Sequence, residues 1–109
     1  MMAWNGWAYY LAWTGETPWD ALDIAKDALS EAKKINHPSE HMVKDTLGFA
    51  TFIDVLKNTY YLQEKNKQLR KAKRLFESAR RESEQYPFAN AIYKLHLRAV
   101  KEALGEYGK

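Results

Sequence analysis

Hydrophobic and polar positions along the chain recur at the spacing of α-helices. Residues 18–35 show the clearest pattern, since one helical face collects small and branched apolar side chains. These are Ala21, Leu22, Ala25, Ala28, Leu29 and Ala32. Comparable patterns occupy residues 2–13, 38–56, 66–85 and 88–104. The fourth helix is predicted to bury Leu69, Ala72, Leu75, Phe76 and Ala79, and the fifth Ala91, Ile92, Leu95, Ala99, Ala103 and Leu104. No stretch alternates apolar and polar residues over the length of a strand. The sequence therefore predicts an all-α fold of about five helices.

Glycine and proline separate most of these helical patterns. Gly15 is able to end the first helix in a left-handed conformation, and Pro18 is a favourable first residue for the second. Pro38 and Pro87 indicate the starts of the third and fifth helices by the same logic. The pattern predicts short connections, and hence neighbouring helices that pack in antiparallel pairs.

Residues 57–66 are the exception, because they contain neither glycine nor proline. We predict a turn near residues 58–66, where Asn58, Thr59 and Asn66 are the turn-prone residues. The alternative is a continuous helix over residues 39–85. Such a helix would be about 70 Å long at 1.5 Å per residue, which is too long for a compact domain of this size.

All four tryptophans lie within the first 19 residues of the chain. Trp4 and Trp7, with Tyr10 or Leu11, follow the spacing of one helical face, so we predict that they are buried against the second helix. One alternative is that some of these rings line a binding groove. The other is anchoring at a membrane interface, which is disfavoured because no basic polar face accompanies the aromatic side chains.

Two segments share an order of small, aromatic and proline residues. The first contains Gly6, Tyr9, Ala21, Ala28 and Pro38, and the second contains Leu47, Gly48, Ala72, Phe76, Ala79 and Pro87. This order resembles the tetratricopeptide repeat, a helix-turn-helix unit with a period of 34 residues. The spacing here is longer, with 42 residues from Gly6 to Gly48, and Thr51 stands where that family has tyrosine. The repeat-like units would be residues 2–38 and 39–87, with a half unit at 88–105.

This resemblance implies one helical domain over residues 1–109, built as a right-handed array of antiparallel helix pairs. It further implies a non-catalytic scaffold whose concave face, formed by the first, third and fifth helices, binds a peptide or helix of a partner, or another copy. We expect that face to include Trp7, Tyr10, Asp45, Phe49, Phe52 and Lys94. The unpaired fifth helix favours self-association or membership of a longer array.

Charge is segregated along the chain, although the net charge is only +3. Residues 1–45 carry a balance of −3, whereas residues 57–81 carry nine basic and two acidic side chains. One side of the fourth helix collects basic residues, namely Lys67, Arg70, Lys71, Arg74 and Arg81. The alternative function is therefore a small basic nucleic-acid-binding protein that uses this helix. A solvated face, or one that binds an acidic partner, remains open.

No residue pattern in the chain is typical of a catalytic or metal site. Cysteine is absent, and no phosphate-binding loop or nucleophile motif occurs. His37 and His41 are four residues apart, but Pro38 places the first before the helix and no third ligand lies nearby. His96 has no nucleophile in sequence proximity, and the acidic ridge starting at Asp20 fits a solvated helix start. We expect a protein that is not an enzyme and has no metal or cofactor.

Composition also bears on location. No apolar run approaches the roughly 20 residues of a membrane span. The apolar beginning lacks the basic residue and cleavage site of a signal peptide. The absence of cysteine fits a reducing compartment. We therefore expect a cytoplasmic protein that does not bind membranes.

Overall fold

A computed structural model of the chain describes residues 2–15, 17–58 and 61–106. Within these ranges the backbone forms five α-helices and no strand. They are α1 (Met2–Thr14), α2 (Pro18–Lys34), α3 (Glu40–Lys57), α4 (Leu62–Glu82) and α5 (Pro87–Ala103). The predicted all-α class is confirmed. Most helix ends fall within two or three residues of the predicted ones, but α4 begins about one turn earlier than residue 66.

α3 ends at Lys57 and α4 begins at Leu62, so the alternative of one continuous helix over residues 39–85 is wrong. Asn58 adopts an extended conformation, and its N–H donates a hydrogen bond to the Asp54 carbonyl at 3.0 Å. Tyr61 is also extended and directly precedes α4. Thr59, which we expected in the turn, lies outside the described residues.

Left-handed residues and prolines shape the other connections. Gly15 has a φ of 66°, and its N–H donates to two carbonyls in the last turn of α1. Asn36, with a φ of 51°, has the left-handed conformation after α2. Pro18 and Pro87 are the first residues of α2 and α5, as predicted. Pro38 lies in the turn itself, and α3 begins two residues after it.

Successive helices pack against each other with antiparallel directions, and α3 is the central element because it contacts all four others. The register of α3 and α4 is visible at one end of the pair. Lys44, near the start of α3, donates hydrogen bonds of 2.9 Å to Ser78 and Glu82, near the end of α4. Two sides of α3 are therefore not covered by a helix backbone, one between α1 and α5 and the other between α2 and α4.

The interior consists mainly of alanine and branched aliphatic side chains, contributed for the most part by α2, α3 and α4, together with the Phe76 ring. The predicted faces of α2 and α4 are buried apart from Leu22 and Leu75, which are half-buried. Gly48 of α3 lies against Phe76 of α4, and a Cβ added at Gly48 would be 2.7 Å from Cε1 of that ring. Glycine is required here because the two helices approach so closely.

The predicted burial of the α1 aromatic rings is wrong. Trp4, Trp7 and Tyr10 are each more than half exposed, whereas α1 buries Asn5, Ala8 and Ala12. The physical reason is the size of the contact residues, because alanine lets α1 approach α2 and α3 closely. The larger rings consequently point away from the interior.

The apolar face that we predicted for α5 is also largely on the outside. Ile92 and Leu95 are exposed, and the helix instead buries Tyr93, Leu97 and Val100. Tyrosine is acceptable in this interior because its hydroxyl lies 2.9 Å from Nδ1 of His41, so its polar end is hydrogen-bonded. The same exposed face includes the predicted contact residues Ala91, Ala99 and Ala103, while Leu104 is half-buried.

Candidate functional site

One face of α3 lies between α1 and α5 and forms the floor of a surface that we name the front channel. Its floor residues follow a helical spacing of three and four and are Met42, Asp45, Phe49, Phe52 and Leu56. Both α1 and α5 pack on α3, but within the described residues no Cα atom of α1 lies within 8 Å of a Cα atom of α5. Only side chains therefore span the space above α3, and Met42 and Leu56 are exposed at its two ends.

A row of stacked rings crosses the front channel from α1 to α5. Phe49 stacks on Tyr9 with ring centroids 5.1 Å apart and on His96 with centroids 5.2 Å apart. Trp13 of α1 tilts against the same phenylalanine at 5.8 Å and is 67% exposed. These contacts join three helices through aromatic faces, which favours a rigid apolar surface with a polar edge.

His96, the α5 member of this row, forms a hydrogen-bonded pair with Asp45. Nδ1 of His96 lies 2.7 Å from Oδ1 of Asp45, and the aspartate is only 4% exposed. Burial raises the pKa of the Asp45 carboxyl above its usual value, although the hydrogen bond and charge of His96 act to lower it. Among the described residues no hydroxyl hydrogen-bonds to His96, whose ring instead contacts Phe49 and Phe76. This pair therefore orients the histidine ring within the aromatic row.

A second histidine, His41, is buried beside the end of the channel at the start of α3. His41 places Nδ1 2.9 Å from the Tyr93 hydroxyl and stacks on Tyr86 at 5.2 Å. Burial lowers the pKa of His41, even though the nearby carboxylates of Glu82 and Asp45 act to raise it. Burial likewise raises the pKa of the Tyr93 hydroxyl above its usual value. Both groups are thus neutral near pH 7, and they act as hydrogen-bonding and packing groups.

An apolar cavity of about 410 Å³ lies beside this end of the channel. Met42 from α3 lines it together with Tyr86 and Phe88 from the beginning of α5. Phe88 is 89% exposed, so a large ring is presented to solvent next to the channel floor. The front channel therefore continues into an apolar recess that suits a side chain of a bound segment.

The structure brings together only part of the predicted partner-binding set. Asp45, Phe49 and Phe52 share the channel floor. Trp7 and Tyr10 stack on each other at 5.7 Å, but they lie on the outer face of α1, away from Phe49. Lys94 is exposed on α5, where a separation of two residues points it about 160° away from His96.

Sequence reasoning missed Tyr9, Trp13 and His96 as members of one surface. Tyr9 and Trp13 are four residues apart, so they share a helical face that the buried assignment of the tryptophans obscured. The pairing of His96 with Asp45 spans 51 residues of sequence and depends on how α3 and α5 rotate against each other. No local signal in the chain predicts that rotation.

The basic residues of α4 lie where the sequence predicted them. All five are exposed, and they are Lys67, Arg70, Lys71, Arg74 and Arg81. None of them forms an ion pair with a carboxylate among the residues that the structure describes. The face therefore carries a clear excess of positive charge, although Glu77 lies on the same side of α4, between Arg74 and Arg81.

The described part of the chain contains no cluster of three histidine, cysteine, aspartate or glutamate side chains arranged to hold a metal ion. His37 and His41 have separate partners, because Nδ1 of His37 accepts a hydrogen bond from the Ser39 N–H at 3.0 Å. None of the helices in the described ranges combines the length and apolar character that a membrane crossing requires.

Comparison with protein-family models, with curated proteins and with solved structures returned no match for this chain.

Proposed function

We propose that this protein is a non-catalytic interaction module that holds a peptide or a helix of a partner protein, or of another copy, in the front channel. The observation that carries this proposal is the row of packed rings centred on Phe49, with exposed apolar residues of α3 at both ends, between two helices whose Cα atoms stay more than 8 Å apart in the described residues. A helix that presents apolar side chains at positions i, i+3 or i+4, and i+7 would match the floor spacing from Met42 to Leu56. The sequential packing of five helices is compatible with the tetratricopeptide-like array that the sequence resemblance implies, in which the first helix of each pair faces the ligand.

The chemistry of the channel supports a partner of mixed character. Trp13, Met42, Leu56 and Phe88 offer exposed apolar contact area, which in a small protein is typical of interaction sites. Aromatic rings that are held rigid by stacking lose little conformational entropy on binding. The Tyr9 hydroxyl and Nε2 of the His96 ring provide polar groups at the border of the same surface.

Leu56 gives a direct test of this proposal because it is 60% exposed on the channel floor. We would use the tagged full chain as bait in a lysate of its source cells, with and without nuclease, and identify recovered proteins by mass spectrometry. We expect Leu56→Glu to lose proteins that the unaltered chain recovers after nuclease treatment. Leu62→Glu is the matched control, since Leu62 is 71% exposed at the start of α4 and away from the channel.

Two results would contradict the proposal. Equal recovery by Leu56→Glu and by the unaltered chain would remove the channel from the interaction. Loss of all recovered proteins after nuclease treatment would instead favour the second candidate, a nucleic-acid-binding protein.

That second candidate rests on the cations of α4 that form no ion pair with a carboxylate in the described residues. Lys67, Arg70, Arg74 and Arg81 lie within about 60° of each other around the helix, so a phosphate backbone would meet all four from one direction. We expect nucleic-acid binding through this face to weaken steeply with salt. Charge reversal at Arg70, Arg74 and Arg81 would abolish such binding, while leaving recovery through the front channel unchanged.

A further inference from the structure

A second concave surface, which we name the rear groove, lies on the side of α3 that faces away from the front channel. Both α2 and α4 pack against α3, while within the described residues their own Cα atoms stay more than 8 Å apart. The space between them is a groove of about 450 Å³, a volume that is usual for small-molecule sites. α3 lines it with Lys44, Leu47, Thr51 and Asp54, which share one helical face.

The floor of the rear groove is aliphatic. Leu22 from α2, Leu47 from α3 and Leu75 from α4 all line it, and each is half-buried. Their inner sides pack against the neighbouring core clusters, so the floor is fixed in position. A ligand body that covers these leucines would remove their remaining apolar surface from water.

Cationic side chains stand on both walls above this floor. Lys26 and Lys33 come from α2, whereas Lys71 and Arg74 come from α4. All four are exposed, and none forms an ion pair with a carboxylate in the described ranges. The groove therefore presents four cations without an ion-pair partner among the described residues, while the lining carboxylate, Asp54, is buried and accepts a hydrogen bond from the Asn58 amide.

Lys44, the fifth cation at the groove, is already neutralised. It contacts Glu40 at 3.1 Å and Glu82 at 2.9 Å. Burial lowers the pKa of Lys44, but the hydrogen bonds and charges of these two glutamates outweigh that effect and raise it. Lys44 thus closes one end of the groove and leaves the other four cations for a ligand.

The uncharged polar groups of the groove are also occupied by partners within the protein. The Thr51 hydroxyl donates to the Leu47 carbonyl at 2.8 Å, and the Gln68 amide donates to Glu64 at 2.8 Å. Ser78 accepts its hydrogen bond from Lys44. The charged donors that remain for a ligand are ammonium and guanidinium groups, which favour anionic oxygens over peptide groups. The Ser78 O–H and the second amide N–H of Gln68 are neutral donors at the same groove.

We propose that the rear groove binds a small, water-soluble organic phosphate, whose apolar body lies on the leucine floor and whose phosphate oxygens lie between the lysines of α2 and the Lys71–Arg74 pair of α4. A nucleotide has this combination of size, charge and apolar body. A nucleic-acid strand fits less well, because the α3 floor extends only about 15 Å from Lys44 to Asp54. This site is separate from the front channel, and its existence is independent of the proposed interaction function.

The test is a titration of the isotope-labelled full chain with ATP in magnesium-free buffer, followed by NMR. We expect the methyl signals of Leu22, Leu47 and Leu75 to shift. Inorganic triphosphate carries the charge without the apolar body, and adenosine carries the body without the charge. Both should bind about tenfold more weakly than ATP, because each makes only half of the contacts.

Matched charge reversals identify the location of binding. Lys26→Glu with Lys71→Glu changes both groove walls, whereas Lys67→Glu with Arg70→Glu makes the same change in net charge on α4 outside the groove lining. We expect the first pair to weaken ATP binding about tenfold or more and the second pair to weaken it only slightly. Circular dichroism of both variants checks that the helices are retained.

Several outcomes would overturn the proposal. One is that millimolar ATP leaves the leucine methyl signals unchanged. A second is that triphosphate binds as tightly as ATP, since the leucine floor would then contribute nothing. A third is that both double variants weaken binding equally, which would indicate attraction to the whole basic surface. A fourth is that a glutamate-rich peptide or a single-stranded oligonucleotide shifts the same methyl signals more strongly than ATP.

Discussion

Nδ1 of His96 on α5 lies 2.7 Å from Oδ1 of Asp45, a buried residue of α3. Alanine at position 45 would leave the histidine nitrogen without its partner in a nearly dry site. We expect Asp45→Ala to lower the free energy of unfolding by about 1–3 kcal/mol. Asp45→Asn should cost less, because the amide oxygen still accepts the hydrogen bond from Nδ1. Urea unfolding followed by circular dichroism measures both values.

The two substitutions also separate the hydrogen bond from the charge. If the asparagine variant were as unstable as the alanine variant, the ionised carboxylate rather than the hydrogen bond would hold the pair together. If neither variant differed from the unaltered chain, Asp45 and His96 would not be paired as the structure shows.

Gly48 and Gly6 occupy the same position of the repeat-like pattern, yet the structure gives them opposite roles. Alanine at position 48 would force the buried Phe76 ring to move, so we expect a loss of about 1–3 kcal/mol in stability. Gly6 lies in α1 with no atom within 4 Å of an added Cβ. Gly6→Ala should stabilise the protein by about 0.5–1 kcal/mol, because alanine restricts the unfolded chain.

Thermal unfolding of the two glycine variants checks this prediction directly. The expected result is a lower midpoint for Gly48→Ala and a higher midpoint for Gly6→Ala than for the unaltered chain. Equal effects of the two substitutions would mean that α3 and α4 are farther apart at Gly48 than described.

The helices with regular alanine spacing were predictable, whereas the orientation of the outer helices was not. In α2 and α4 only one face is apolar, so the sequence specifies which side is buried. In α1 the aromatic rings and the alanines compete for burial, and close packing favoured Ala8 and Ala12 over Trp7. In α5 the spacing of Tyr93, Leu97 and Val100 is as helical as that of the exposed face, and the choice depends on hydrogen bonds to α3.

The same limitation applies to the front channel. Asp45, Phe49 and Phe52 were predictable because they belong to one helix with a readable period. His96 lies 51 residues after Asp45, on another helix. Trp13 belongs to the channel only because the side of α1 that carries Tyr9 and Trp13 faces α3. Contacts of this kind depend on the rotation of whole helices, which is set by packing rather than by local sequence.

Stability should depend on pH through His41. Burial holds the pKa of this histidine in the folded protein below its usual value of 6.5. As the pH falls through 6.5, the unfolded chain binds the proton first, so the folded state loses relative stability. We therefore expect the free energy of unfolding to fall between about pH 7.5 and pH 5.5. Urea unfolding at several pH values measures this slope.

His41→Gln supplies the comparison, because glutamine can still hydrogen-bond to the Tyr93 hydroxyl without titrating. Its slope over the same interval should be smaller. Asp45 acts in the opposite sense, since its raised pKa stabilises the fold below the usual value of 3.8 and this contribution is lost as the pH rises through its pKa in the folded protein. Both proteins contain Asp45, so identical slopes would show that His41 is not buried in its neutral form.

The outer faces of α1 and α5 predict self-association. Trp4, Trp7 and Tyr10 are exposed on α1, and Ile92 and Leu95 are exposed on α5. Such apolar patches on a small monomer usually mark contact surfaces. If the α1 face of one copy contacts the α5 face of the next, copies add head to tail. We expect light scattering to show species larger than a monomer at high micromolar concentration. Quenching of tryptophan fluorescence by iodide should decrease over the same concentration range as these rings become covered.

Leu95→Glu should keep the protein monomeric, because a charge on the α5 face opposes burial of that face. Leu62→Glu is again the matched control, with similar exposure at a position on neither outer face. A sharp monomer for the unaltered chain throughout the concentration range would contradict self-association. If both variants associated as the unaltered chain does, contact through α5 would be excluded and the α1 rings would become the next site to substitute.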